Sequence, residues 1–239
     1  MEDRLSPKHI PFDKYDDMGA YHWDQCDRRS RNYNPPLEAR YRVLVDKLQG
    51  ENRVLDVGCG DGYLMSLISA LSEDVIGIDT DHSGVRQADR KLKSLRNCRV
   101  VQASCYEVPF DDGSFDLVLM TDVFEHLERP DLSIREICRV LTTNGSLMLT
   151  TPKWRPDRRW DHRHWKEYRP DELMDILSAH FSLVTLTFFW PIRWSRMYST
   201  RLGWRAIRMW TRYLNNPFLQ EGSDAQSYGQ IFALCSGPR

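Results

Sequence analysis

Apolar positions along the chain fall into two periods, and their order sets out alternating strands and helices. Val54, Leu55 and Val57 crowd four positions and read as a short buried strand. Glycines follow at 58, 60 and 62, and an apolar-rich run over 63–71 reads as a helix. The cycle then repeats. Residues 74–79 read as a second strand, 83–95 as a helix with Ser83 as its N-cap, and 99–103 as a third strand. The run 115–120 is apolar on both faces, as a central parallel strand should be. A helix over 131–141 carries apolar residues at 132, 134, 137, 140 and 141, and Asn144-Gly145 turns the chain into a fifth strand over 146–150. A helix over 171–180, capped by Pro170 and Asp171, leads to a sixth strand over 181–190; the last strand covers 230–235. Upstream, apolar residues at 37, 41, 44, 45 and 48 mark a helix that Gly50 ends.

Two stretches do not fit a minimal alternation. About 40 residues (191–229) separate the last two strands. In them Arg193, Arg196, Arg201, Arg205, Arg208 and Arg212 recur at helical spacing, opposite Trp194, Met197, Tyr198, Leu202, Ala206, Met209, Trp210 and Tyr213. No acid occurs from Ile192 to Leu214, and Gly203 should weaken the helix by about 1 kcal/mol. Such a segment suits an anionic membrane surface, a lid on an acceptor pocket, or plain packing on the body. The second stretch, 153–168, interleaves six Lys or Arg with Trp154, Trp160, Trp165 and Tyr168, and suits an anionic or sugar-bearing ligand.

Composition narrows the classes. A net charge of −1 over 239 residues gives no global pull toward nucleic acid, which is not expected as a partner. Six scattered cysteines without a C-x-x-C pair read as reduced thiols, and the N-terminus shows no signal core, so a cytoplasmic location is expected. Residues 1–36 are polar, aromatic and irregular.

The glycine turn carries the first chemistry. Strand, glycines and helix in succession let a backbone approach a nucleotide-like cofactor. The spacing is not that of a dinucleotide turn, because the third glycine comes one residue early, and no G-K-[ST] is present. Asp56 would repel a pyrophosphate and suits a cationic cofactor, such as S-adenosylmethionine (SAM). Asp79 lies 23 residues after Asp56, at the tip of the second strand, where it can accept two ribose hydroxyls.

The motifs VLDVGCGDGYL (54–64), VIGIDTD (75–81), VPFDDGSFDLVLMTDVFEHL (108–127) and CRVLTTNGSLMLTTP (138–152), in this order, resemble the class I SAM-dependent methyltransferases, in particular the ubiquinone-biosynthesis-like small-molecule enzymes. The resemblance implies a doubly wound, Rossmann-like α/β sandwich of seven mostly parallel strands, the last antiparallel. Residues 37–239 would form the methyltransferase domain, with 1–36 an arm over the cofactor and 191–229 an insertion. It implies SAM as cofactor and S-adenosylhomocysteine as product. The cofactor residues would be Asp56, Gly58, Cys59, Gly60, Asp79, Thr80, Ser104, Cys105 and Thr121. Relatives often carry Asp-Ala where this chain has Ser104-Cys105, so Ser104 would be a neutral, weaker acceptor for the adenine amino group.

His126 and His164, in loops after the fourth and fifth strands, are the candidate bases for a hydroxyl acceptor. No metal is expected, although Asp122, Glu125 and His126 match the spacing of a patch that holds a divalent ion in some relatives. The expected function is O-methylation of a sugar, glycolipid or other small natural product, with residues 192–214 in peripheral contact with an anionic membrane. Transfer to carbon or nitrogen, a non-catalytic SAM-binding module and a dinucleotide redox enzyme are the alternatives.

Overall fold

The computed structural model describes residues 14–159 and 161–239; the first thirteen residues of the expected arm, and Trp160, lie outside the described residues. Among the described residues seven strands form one sheet, β1 (Arg53–Val57), β2 (Asp74–Asp79), β3 (Cys98–Gln102), β4 (Phe115–Thr121), β5 (Leu141–Pro152), β6 (Phe181–Pro191) and β7 (Tyr228–Pro238), in the order β3-β2-β1-β4-β5-β7-β6. The strands β3 to β5 pair in parallel, and β7 is antiparallel to both neighbours. The expected sandwich is therefore present. The sixth strand has an antiparallel neighbour, yet it still points the same way as β5, so its carboxyl end reaches the same rim.

Period-2 alternation divides the core. Leu55, Val57, Val118 and Met120 face one layer, where α6 (Pro130–Val140) and α7 (Pro170–Ser178) supply Ile134, Ile137, Leu173 and Leu177. Val54, Val75, Leu117 and Leu119 face the other. There α3 (Pro35–Val45), α4 (Tyr63–Ile68) and α5 (His82–Leu92) supply Val43, Leu44, Met65, Ile68, Ala88 and Leu92. Burial on both faces is why the central strands read as continuous apolar runs.

Several local expectations need correction. The cap of α5 is Asp81, whose side chain accepts from the Gly84 amide at 2.5 Å. Ser83 instead gives its hydroxyl to Asp16 in the first helix, α1 (Lys14–Met18). The cap of α7 is Arg169, whose amide donates to Glu172 Oε2 at 3.0 Å, one residue before the expected Pro170-Asp171. Asn144-Gly145 is not a turn between helix and strand. The chain enters β5 directly at Leu141, and the strand bulges: Phe115 pairs with Leu141 and Leu117 with Ser146, five steps on β5 against two on β4.

The segment 192–214 is two helices rather than one, α8 (Ile192–Tyr198) and α9 (Arg201–Tyr213), with the Thr200 side chain capping α9 by accepting from Gly203 N at 3.1 Å. Gly203 is there for space. A Cβ on it would sit 2.1 Å from the Met197 carbonyl oxygen, so the corner between the helices depends on its absence. Ala39, Ile207 and Phe218 form a third small core that seats α9 on α3.

Candidate active site

The turn after β1 is shaped by two close approaches. Gly58 has φ 74° and Gly60 φ 52°. A Cβ at Gly58 would lie 2.3 Å from the Val123 side chain, and one at Gly60 would lie 1.8 Å from the Tyr15 hydroxyl. The Gly58 and Cys59 amides both donate to Ile78 O, at 2.8 and 3.0 Å. Gly60 N donates to Asp79 Oδ2 and Asp81 N to Asp79 Oδ1, each at 2.8 Å. The tip of β2 is thereby locked to the glycine turn, with the Asp79 carboxylate held in one orientation.

The arm closes over this turn. Tyr15 of α1 is buried, and His22 of α2 (Tyr21–Gln25) donates its amide to Asp61 Oδ2 at 3.0 Å and sets Nδ1 3.1 Å from Asp61 Oδ1. Trp23 Nε1 donates to the Asp61 carbonyl at 2.9 Å. The same arm holds the insertion: Arg212 donates to Ser30 O at 2.7 Å, and Arg208 to Arg31 O.

A cavity of 1390 Å³ opens at the carboxyl rim of the sheet. Drug-sized ligand pockets run to about 1,000 Å³, so this one has room for a cofactor and an acceptor together. Six of the nine expected cofactor residues stand on its wall: Gly58, Asp79, Thr80, Ser104, Cys105 and Thr121. Asp56, Cys59 and Gly60 are not part of the wall. The Thr121 hydroxyl and Asp56 Oδ2 are buried with no hydrogen-bond partner among the described residues. Burial, and after it Asp79, push the Asp56 carboxyl up to about 8. The buried carboxyl is neutral while it has no partner and would ionise beside a cation, and the donor and acceptor set fits a ligand with ammonium, ribose and adenine groups.

The raised Asp56 acid has a measurable consequence. An unfolded aspartate titrates near 3.9, whereas folded Asp56 keeps its proton to about 8. The folded state binds more protons between those values, so stability falls as pH rises from about 4 to 8. Asp56→Asn is expected to flatten that fall, raising the Tm of ligand-free protein at pH 8 and changing it little at pH 4. Scanning fluorimetry across pH checks this, and equal slopes in the two proteins would show that the uncompensated charge lies elsewhere.

Beyond the cofactor wall the two candidate histidines come together. Their rings lie 5.0 Å apart edge to face. His126 Nδ1 is 3.0 Å from Arg163 O, and His164 Nδ1 is 3.0 Å from Glu167 Oε1. Those acceptors fix the proton on Nδ1 in both rings, which leaves Nε2 as the basic nitrogen. Glu167 is buried, and Arg158 Nη2 sits 2.8 Å from both its oxygens. Burial is the main cause that pulls the His126 imidazole below its usual value. The backbone carbonyl of Glu125 accepts from Trp165 N and Lys166 N at 2.7 and 3.1 Å, which pins the 153–168 loop to this corner.

Asp122, whose spacing matches a metal patch of some relatives, is not among the converging donors. Arg40 Nη1 takes it at 2.6 Å, and Asp122 is held at φ 51°, a strained value for a residue with a side chain. The donor atoms that do converge are those of Glu125, His126 and His164, all within 4.8 Å of one another. Burial, reinforced by Asp122, pushes the Glu125 carboxyl well above the usual range, and Thr151 Oγ1 donates to it at 3.0 Å.

Arg40 and Glu167 were not evident as site residues. Glu167 stands three residues after His164, a local signal that could have found it; Arg40 sits in α3 with none. Arg40 also stacks over Trp190, 4.9 Å from its ring, and Trp190 and Ser195 line the cavity where β6 runs into α8.

Comparison with known proteins adds independent findings. The family model described as a methyltransferase domain matches residues 55–149. The chain is 34% identical over 114 residues to the malonyl-[acyl-carrier protein] O-methyltransferase of Legionella pneumophila, covering 45% of this chain and 40% of that protein. It is 25% identical over 196 residues to the ubiquinone biosynthesis O-methyltransferase of Pelagibacter ubique, covering 69% and 80%. The chain spans about half, 52%, of the length of the first curated relatives it matches. In fold it is similar to a SAM-dependent methyltransferase from Archaeoglobus fulgidus, with a TM-score of 0.63 at 20% identity over 90% of this chain and 99% of that one.

Proposed function

We propose that the chain is a class I SAM-dependent methyltransferase, and that it methylates a hydroxyl of a sugar, glycolipid or other small natural product. The observation that carries the oxygen assignment is the His164–Glu167 pair. A hydroxyl must lose its proton as the new bond forms. A histidine backed by a buried carboxylate on Nδ1 is built to take that proton at Nε2 and to stabilise the imidazolium that results.

The cofactor supplies an activated methyl group on a sulfonium, which is already a good leaving group. Asp79, held in place by the Gly60 and Asp81 amides, would accept the ribose hydroxyls. Gly58 would present backbone to the methionine portion, with Cys59 and Gly60 shaping the turn behind it, and the buried Asp56 carboxyl would give up its proton when a cation is bound nearby. Thr80, Ser104, Cys105 and Thr121 line the cavity wall, where Ser104 would accept from the adenine amino group. Tyr15, Tyr21 and His22 cover the turn and exclude water. On the acceptor side, Trp165 and Trp190 offer faces on which a sugar ring can stack. Holding acceptor and methyl group in line contributes several kcal/mol by proximity alone.

The test is transfer of radiolabelled methyl from SAM to a panel of hydroxyl, amine and carbon acceptors, run with and without a chelator. Label on oxygen, unchanged by the chelator, is the expected result. Label on nitrogen or carbon would overturn the oxygen assignment. Loss of activity with the chelator, restored by a divalent ion, would turn Glu125, His126 and His164 into a metal site. SAM binding in calorimetry without transfer to any acceptor would favour the non-catalytic module.

A further inference from the structure

The outer face of α9 is apolar and open. Leu202 is 80% exposed, Met209 66%, Trp210 54% and Tyr213 79%. Successive turns place Leu202, Ala206, Met209 and Tyr213 in one stripe along the helix. The opposite face is closed: Gly203, Ile207 and Thr211 are buried. The exposure is therefore not the looseness of a badly packed helix. Arg208 and Arg212 bond to arm carbonyls, Asn216 just beyond α9 donates to Pro35 O at 2.8 Å, and Phe218 is fully buried beneath. A firmly seated helix presents its apolar stripe outward.

Charge decides what covers that stripe. Arg201 and Arg205 flank it and make no ion pair among the described residues, and no acid occurs from Ile192 to Leu214. A second copy meeting this face through a two-fold axis would set arginine against arginine. A surface that is negative and apolar at once is complementary. No described helix is long and apolar enough to cross a membrane, so such a contact is peripheral.

We propose that α9 docks the protein on an anionic lipid surface, with Leu202, Met209, Trp210 and Tyr213 at headgroup depth and Arg201 and Arg205 among lipid phosphates. The proposal does not depend on which atom is methylated. Tryptophan and tyrosine suit this depth because their rings are apolar and their polar edges stay wet. The helix belongs to the insertion that begins at the cavity mouth, where Trp190 and Ser195 form part of the wall, so a docked molecule holds its acceptor mouth close to the lipid.

Co-sedimentation of the full chain with phosphatidylcholine vesicles, with and without a third of phosphatidylglycerol, tests this. Binding to the anionic vesicles alone, weakened by salt as the Debye length shrinks, is the expected result. Each cation near an anionic leaflet raises binding about fivefold, so the Arg201→Glu, Arg205→Glu pair is expected to lose at least 25-fold. Leu202→Ser with Met209→Ser is expected to lose binding by a similar factor. Arg208 is left intact, because it holds the helix in place. Both double variants should keep the native Tm and SAM affinity, since these side chains point away from the body. No binding of the native protein to anionic vesicles would overturn the proposal. So would binding that survives both variants, or a native dimer that Leu202→Ser with Met209→Ser converts to monomer.

Discussion

His164→Ala is expected to lower turnover on the true acceptor by roughly 10²–10⁴, with SAM affinity unchanged. The ring sits on the cavity wall, oriented by Glu167, and touches none of the residues assigned to the cofactor. His126→Ala should cost less, because its Nδ1 rests on a carbonyl, which stabilises an imidazolium less than a carboxylate does. Glu167→Gln separates the two roles: it preserves the hydrogen-bonding shape but removes the charge, and should reduce kcat while leaving KM for SAM alone. Single-turnover measurements with saturating SAM give the answer. If both alanine variants keep near-native turnover, histidine base catalysis is out, and an acceptor that needs no base, at nitrogen or carbon, takes its place.

Asp79→Ala is expected to weaken SAM binding by about 1.5–3 kcal/mol, roughly 10- to 150-fold, through loss of a charged acceptor to two hydroxyls. The same carboxylate holds the Gly60 and Asp81 amides, so the turn loses two anchors as well. Asp79→Asn keeps one acceptor oxygen and should fall between native and alanine. Calorimetry on variants with native circular dichroism reads the effect. Unchanged affinity would place the ribose away from the tip of β2.

The ends of β2 were legible to the residue, at Asp74 and Asp79, because an acid closes the apolar run on each side. The glycine turn was legible for a similar reason, since its residues are adjacent in sequence and their backbone requirement is local. The bulge in β5 was not: a helix running straight into a strand leaves no polar gap, and Asn144-Gly145 carries the same letters in a bulge as in a turn. At α5 the competing acceptor for Ser83 lies 67 residues away, on Asp16, and local propensity cannot weigh such a partner. The Arg40–Asp122 pair failed to show for the same reason. Across α8 and α9 the six-arginine pattern was visible, but not the division of the four in α9 into Arg208 and Arg212, bound to carbonyls, and Arg201 and Arg205, facing solvent. Helical period gives an angle around the axis; only the neighbouring arm decides which angles are inside.

The arm grips two places at once. Tyr15, His22 and Trp23 close on the glycine turn, and a few residues later the Ser30 and Arg31 carbonyls hold Arg212 and Arg208. Between them, Glu38 of α3 gathers Arg28, Tyr33 and Asn216 around one buried carboxylate. One short segment of chain thus contacts both the glycine turn and the seat of α9. Energy shared between two sites is reciprocal: whatever occupancy of the turn does to the hold on α9, restraint of α9 does in equal measure to occupancy of the turn. Glu38 stands where the two contacts meet, one buried carboxylate that ties the segment before the first strand to the chain just beyond α9.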